Sequence, residues 1–197
     1  MIILFLLILR KRGFYIRKKS KYNVEHMTEI KSLILDTNFI MGWFENAIKS
    51  YRRNPEEYES GKFDPTKKME FLIEAKYEVF TTNVAKSEVF RRLFSELSVN
   101  KNLCTKVWTD FIGRFSIIEL EINEVDFNDI ADLCLVTQLG RGTIPNLVQL
   151  QFAKKNNRAF ATGDKKIRDY FTHYHDKIYT YIELRQLYDA EKSGQSS

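Results

Sequence analysis

Four side chains that offer oxygen ligands stand at related places in the chain: Asp36, Glu88, Asn146 and Asp164. Asp36 ends the apolar run Leu33-Ile34-Leu35, which reads as a buried strand. Asp164 follows a second run, Arg158–Thr162, and Asn146 opens the helix before that run. Glu88 lies in the first turns of the helix after the strand Tyr77–Thr81. Ligands of open α/β sheets bind outside the carboxyl ends of the strands, so the pattern sends all four residues to one edge. Carboxylates gathered there repel one another unless a cation sits between them. Hard oxygen ligands without His or thiolate suit Mg²⁺ or Mn²⁺. Such an ion can hold a phosphodiester, lower the pKa of a bound water and stabilise a leaving oxygen.

Each residue also has a plainer role. Asp36 would cap a helix beginning near Asn38, and Asp164 would cap the helix after it. Glu88 would pair with Arg92 at i+4, worth about 0.2–0.5 kcal/mol, and Asn146 would serve an ordinary cap or turn. Thr37, Ser87 and Thr162 adjoin or lie close to the three acids, either as hydroxyls that orient them or as local backbone partners. Asp129 and Asp132 precede Asn146 by about one helix and reach the edge only if that helix turns toward it. Arg91, Arg92 and Lys165 are the candidates for contact with nucleic-acid phosphates, while Lys166 and Arg168 read as scattered surface charge. Trp43, in an aromatic-rich helix, reads as core rather than as a base-stacking platform.

The elements that must position these groups alternate. Strands are expected at Ser32–Leu35, Tyr77–Thr81, Ile117–Leu120, Arg158–Thr162 and Lys177–Tyr181. Helices are expected at Thr37–Tyr51, Thr66–Ala75, Val84–Leu97 (capped by Asn83), Leu103–Phe115, Val125–Leu139 and Pro145–Asn157, then Lys165–Phe171 and Ile182–Ala190. Asn54-Pro55 through Pro65 reads as a charged loop, and Gly140 and Gly142 as helix stops. The alternation predicts a three-layer α/β/α sandwich around a mostly parallel sheet of about five strands. It occupies one domain, residues 27–191, followed by a polar, disordered end at 192–197.

Charge and cysteine content narrow the setting. The net charge is +5, but residues 1–26 hold seven basic residues and one acid, leaving 24 basic against 25 acidic residues in 27–197. The basicity therefore belongs to the first segment, and the domain is near neutral. Cys104 and Cys134 sit in apolar helical patterns and read as small core residues of a reducing, cytoplasmic compartment. Ile2–Leu9 is too short an apolar run to span a bilayer, and its charges follow it rather than precede it as in a secretory signal. Three readings of residues 1–26 stay open: a start upstream of a native Met27, a disordered basic arm able to touch an anionic surface, or an added element packed on the domain.

The segments L-D-T-N at 35–38, S-E-V-F-R-R at 87–92, P-N-L-V-Q-L-Q-F-A at 145–153 and A-T-G-D at 161–164 together resemble the PIN-domain ribonucleases, including the VapC-type toxins. The resemblance spans roughly Ile30 to Tyr188. It implies a PIN-like fold and a metal-dependent endoribonuclease that uses Mg²⁺ or Mn²⁺ held by Asp36, Glu88 and Asp164. RNA is the implied substrate, with a homodimer and a protein antitoxin as the implied partners. A third acid of the family pattern falls on Asn146, which brings an oxygen but no charge. That departure implies weaker metal binding, or a degenerate domain that holds RNA or a protein without cleaving it.

Overall fold

The computed structural model describes residues 30–60, 69–137 and 141–194. The chain begins with β1 (Ser32–Leu35), α1 (Thr37–Arg53), α2 (Pro55–Glu59), α3 (Glu70–Glu74), β2 (Glu78–Thr82) and α4 (Asn83–Leu97). It continues through α5 (Lys101–Arg114), β3 (Ile118–Leu120), α6 (Phe127–Thr137), a 3₁₀ turn (Arg141–Thr143) and α7 (Ile144–Lys155). The last elements are β4 (Ala159–Ala161), α8 (Lys165–Phe171), β5 (Ile178–Tyr179) and α9 (Tyr181–Gly194). The five strands form one sheet in the order β3-β2-β1-β4-β5, and every pair is parallel.

Strand alternation sorts the core into two halves, one on each face of the sheet. Leu33, Leu35, Val79, Ala159 and Ala161 face α1, α3, α4, α5 and α9, where Phe44, Phe71, Leu93 and Phe111 are fully buried. Ile34, Phe80 and Phe160 face α6, α7 and α8, against Leu147, Leu150, Ile167 and Phe171. The result is the expected α/β/α sandwich, with a sheet that is wholly parallel. Trp43 packs among Phe44 and Phe111 with ring centroids 5.1 Å apart in each pair, so it is a core residue.

Several boundaries differ from the sequence reading, each for a local reason. Asn54-Pro55 starts α2 instead of continuing a loop: Asn54 Oδ1 accepts from the Glu57 N–H at 3.1 Å, and Pro55 takes the first helical position, where its missing N–H does no harm. Residues 61–68 of the expected loop and helix lie outside the described residues, as do Gly140 and all of 1–26. The cap of α4 is Thr82 rather than Asn83; its hydroxyl accepts from Ala85 N–H at 3.1 Å, while Asn83 Oδ1 accepts from Ile122 N–H at 3.1 Å. Gly142 falls inside the 3₁₀ turn. Beyond residue 191 the chain is still helical to Gly194, with Lys192 reaching Glu74 Oε2 at 3.0 Å.

Leu35, fully buried, fills the space beneath α1 directly before Asp36. Leu35→Ala should lower the unfolding free energy by about 2–5 kcal/mol. It should appear as a lower urea midpoint with an unchanged m-value.

Candidate active site at the carboxyl edge of the sheet

The strand order reverses at β1. From β1 the chain winds outward through β2 to β3, then returns to the other side of β1 for β4 and β5. The carboxyl ends of β1 and β4 therefore border the crevice of a doubly wound sheet. Asp36 follows β1 directly, and Thr162, Gly163 and Asp164 follow β4.

A short polar chain ties the two ends together. Thr162 Oγ1 donates to Asp36 Oδ2 at 2.5 Å and accepts from the Asp164 N–H at 2.9 Å. Asp36 N–H donates to Ala161 O at 3.0 Å, and Asp36 Oδ1 accepts from the Phe39 N–H at 2.7 Å. Asp36 is thus the N-cap of α1 and a cross-link to β4 at once. Gly163 is required between Thr162 and Asp164: a Cβ there would lie 2.7 Å from the backbone oxygen of Asn38.

Glu88 joins this group through the neighbour of Asp36. Thr37 Oγ1 donates to Glu88 Oε2 at 2.6 Å, and the charge on Glu88 is felt at Asp36. The i+4 pairing of Glu88 with Arg92 does not form. Arg92 instead donates to Asn38 Oδ1 at 3.3 Å and lies 3.6 Å from Glu96. Arg91 is exposed and 3.9 Å from Glu96, and Lys165 is exposed at the start of α8. Asp164 caps α8 by accepting from the Lys166 N–H at 2.8 Å.

Other expectations resolve differently. Ser87 turns away from the site, donating to Val84 O at 2.8 Å, so it plays the local backbone role. Asp129 is engaged elsewhere, accepting from Gln151 Nε2 at 2.8 Å and from the Tyr174 hydroxyl. Arg168 is half-buried against Glu183 at 3.0 Å and serves the α8–α9 packing. Asn146 is 4% exposed near the start of α7, and its side chain has no hydrogen-bond partner among the described residues.

Two site residues escaped the sequence reading. Continuing the register past Ile34↔Phe80 and Leu35↔Ala161 sets Thr82, Asp36 and Thr162 in one row across β2, β1 and β4, on the side facing α7. Gln149, fully buried one turn after Asn146, accepts from Thr82 Oγ1 at 3.1 Å, and its amide nitrogen has no partner. The available signals were a Thr directly before a helix and a Gln three residues after Asn146. Both residue types are too common in such places to stand out.

Burial dominates the electrostatics of Asp36. Its carboxyl is pushed up to about 7 by desolvation, against the pull of the Thr162 hydroxyl and the Phe39 and Gly163 N–H groups, and Glu88 adds to the rise. No Lys, Arg or His among the described residues forms an ion pair with Asp36, Glu88 or Asp164. Among the described residues, no group of three or more His, Cys, Asp or Glu side chains is placed so as to hold a metal ion. The arrangement is a pair of uncompensated carboxylates, with a third at the crevice rim. Mg²⁺ is commonly held in this way, by one or two carboxylates plus water and substrate phosphate. Asp36 and Glu88 offer two hard oxygen donors of that kind and none of the soft ligands of a zinc site. Comparison with protein-family models finds no family that matches this chain, and comparison with curated proteins finds no match.

Two outcomes follow. Because folding raises the Asp36 pKa from 3.8 to about 7, its contribution to stability is complete below 3.8 and is lost as pH rises through 7. In EDTA, the Tm of Asp36→Asn minus that of the unaltered protein should therefore climb across this interval and level off above it; a flat difference would contradict the assignment. Gly163→Ala should lower stability by about 1–3 kcal/mol through the clash with Asn38, measured by urea unfolding.

Proposed function

We propose that this protein is a divalent-cation-dependent endoribonuclease, hydrolysing RNA phosphodiester bonds at the crevice between β1 and β4. One observation carries the reading: the fully buried Asp36 carboxylate stands beside Glu88 with no cationic side chain paired to either. Buried like charges without compensation are costly, and a bound cation removes that cost. Asp36 and Glu88 would hold the ion, Asp164 would face it across the crevice, and Asn146 would lend a neutral oxygen. Bound Mg²⁺ or Mn²⁺ supplies Lewis acidity at the phosphoryl oxygen and a more acidic water.

The remaining work falls to the chain itself. Thr162 fixes the orientation of Asp36, and Thr37 that of Glu88. Arg92, steadied by Asn38, and the exposed Arg91 and Lys165 would position backbone phosphates without reading sequence. The motif resemblance supports a role as the toxin of a toxin–antitoxin pair, with a protein antitoxin and a second copy as partners. No helix among the described residues is long and apolar enough to cross a membrane.

A second reading, RNA or protein binding without cleavage, draws on two observations. Both Asp36 oxygens already accept hydrogen bonds, and the place of a third acid is taken by Asn146. Cleavage of a single-stranded RNA in Mg²⁺ or Mn²⁺ separates the two. Nuclease action predicts that the Asp36→Asn, Asp164→Asn double variant is at least about 100-fold slower than the unaltered protein, since ligand loss exceeds the effect of losing a ligand's support. Equal rates would sink it. Asn146→Asp should raise Mg²⁺ affinity and rate together; unchanged RNA affinity with no cleavage in any of these proteins would establish the binding module.

A further inference from the structure

The opposite edge of the sheet carries a site of inverse polarity. Where β1, β4 and β5 begin, a cavity of ≈ 150 Å³ is lined by Lys31, Ser32, Asn157, Lys177 and Tyr179 over an apolar base that includes Ala159. Ligand pockets for drug-sized molecules run to about 300–1,000 Å³. This one suits a single small polar group.

Its lining is made almost wholly of donors. Lys177 Nζ donates to Asn157 Oδ1 at 2.7 Å, which leaves two ammonium protons to offer. Asn157 holds its amide in place from a left-handed backbone, with φ at 52°. The hydroxyls of Ser32 and Tyr179 have no hydrogen-bond partner among the described residues. Burial raises the Tyr179 phenol above its usual value, and the charge of Asp176 adds to the effect, so the group remains a donor. Lys31 also lines the cavity. Among the described residues, Glu78 in register with Ser32 and Asp176 beside Lys177 are exposed and outside the lining, and the charges of Asp176 and Glu183 are both felt at Tyr179.

An ammonium with protons to spare and two unpartnered hydroxyls around one small cavity, with no carboxylate among the described residues of its lining, match a tetrahedral oxyanion. We propose that this cavity is an anion site for one phosphate group, carried by inorganic phosphate or by the terminal phosphate of a nucleic acid. The inference is independent of the ribonuclease reading, because the cavity lies at the far ends of the strands from Asp36.

Calorimetric titration of the full chain with inorganic phosphate, in EDTA, isolates this site from any cation-dependent phosphate binding. Saturable one-site binding is expected. Lys177→Met should weaken it at least about tenfold, as loss of a charge-assisted hydrogen bond does. Tyr179→Phe, which preserves the ring and its packing, should weaken it several-fold and serves as the test if Lys177→Met does not fold. A 5′-phosphorylated oligonucleotide that binds more tightly than its 5′-hydroxyl twin, by a margin that Tyr179→Phe erases, identifies a nucleic-acid terminus as the source. Equal binding of the two oligonucleotides alongside saturable phosphate binding identifies the free ion. Absence of saturable heat up to about 10 mM phosphate, or heat unchanged in both variants, overturns the proposal.

Discussion

The hydrogen bond from Thr162 to Asp36 is the constraint on which the carboxyl edge depends. At a switch point the chains leaving two adjacent strands pass to opposite faces of the sheet, so the crevice between them has no covalent closure. Here β1 leads into α1 on one face and β4 into α8 on the other. The 2.5 Å bond spans the gap, and the Asp164 N–H on the same hydroxyl fixes the start of α8 relative to the cap of α1. Gly163 lets the two turns approach until only a hydrogen atom fits against Asn38 O. From the second face, Gln149 holds Thr82 and, through that cap, the start of the helix that bears Glu88. Four separate segments are thereby held at one place by a handful of neutral donors.

Most of this architecture was legible in the sequence, since apolar runs and amphipathic helices are written in residue order. The strand Ser32–Leu35 and the helix Lys165–Phe171 were readable to the residue. Strand order was not, because register and adjacency are set by long-range packing rather than by local pattern. The helix at Pro55–Glu59 was hidden because Asn-Pro signals a turn and an N-cap with equal force. At the site, the types and edge placement of Asp36, Glu88 and Asp164 could be read, and Thr37 and Thr162 as hydroxyls near them, but not which hydroxyl serves which acid. Thr37 serves Glu88 from 51 residues away, Thr162 serves Asp36 from 126 residues away, and Ser87 serves only its own helix. Such pairings arise only when the fold closes, as does the burial that makes Asp36 unusual.

That burial sets Asp36 apart from Asp164. As an N-cap, Asn is about as good as Asp, and it brings no charge into the interior. Asp164, partly exposed at the head of a short helix, is fully accounted for by capping. Asp36 is not: a neutral amide there would cap α1 equally well, yet the chain places an acid beside Glu88 and takes it entirely out of water. Stability alone would favour the amide at neutral pH. Hydrogen bonds from Thr162, Phe39 and Gly163 offset only part of the burial, so the carboxyl stays raised to about 7 and holds its proton far above the usual carboxylate range. Lys31 and Lys177 line the cavity at the other end of the strands, away from Asp36. No Lys, Arg or His among the described residues pairs with Asp36 or Glu88, so the crevice forgoes the stability an ion pair would give it.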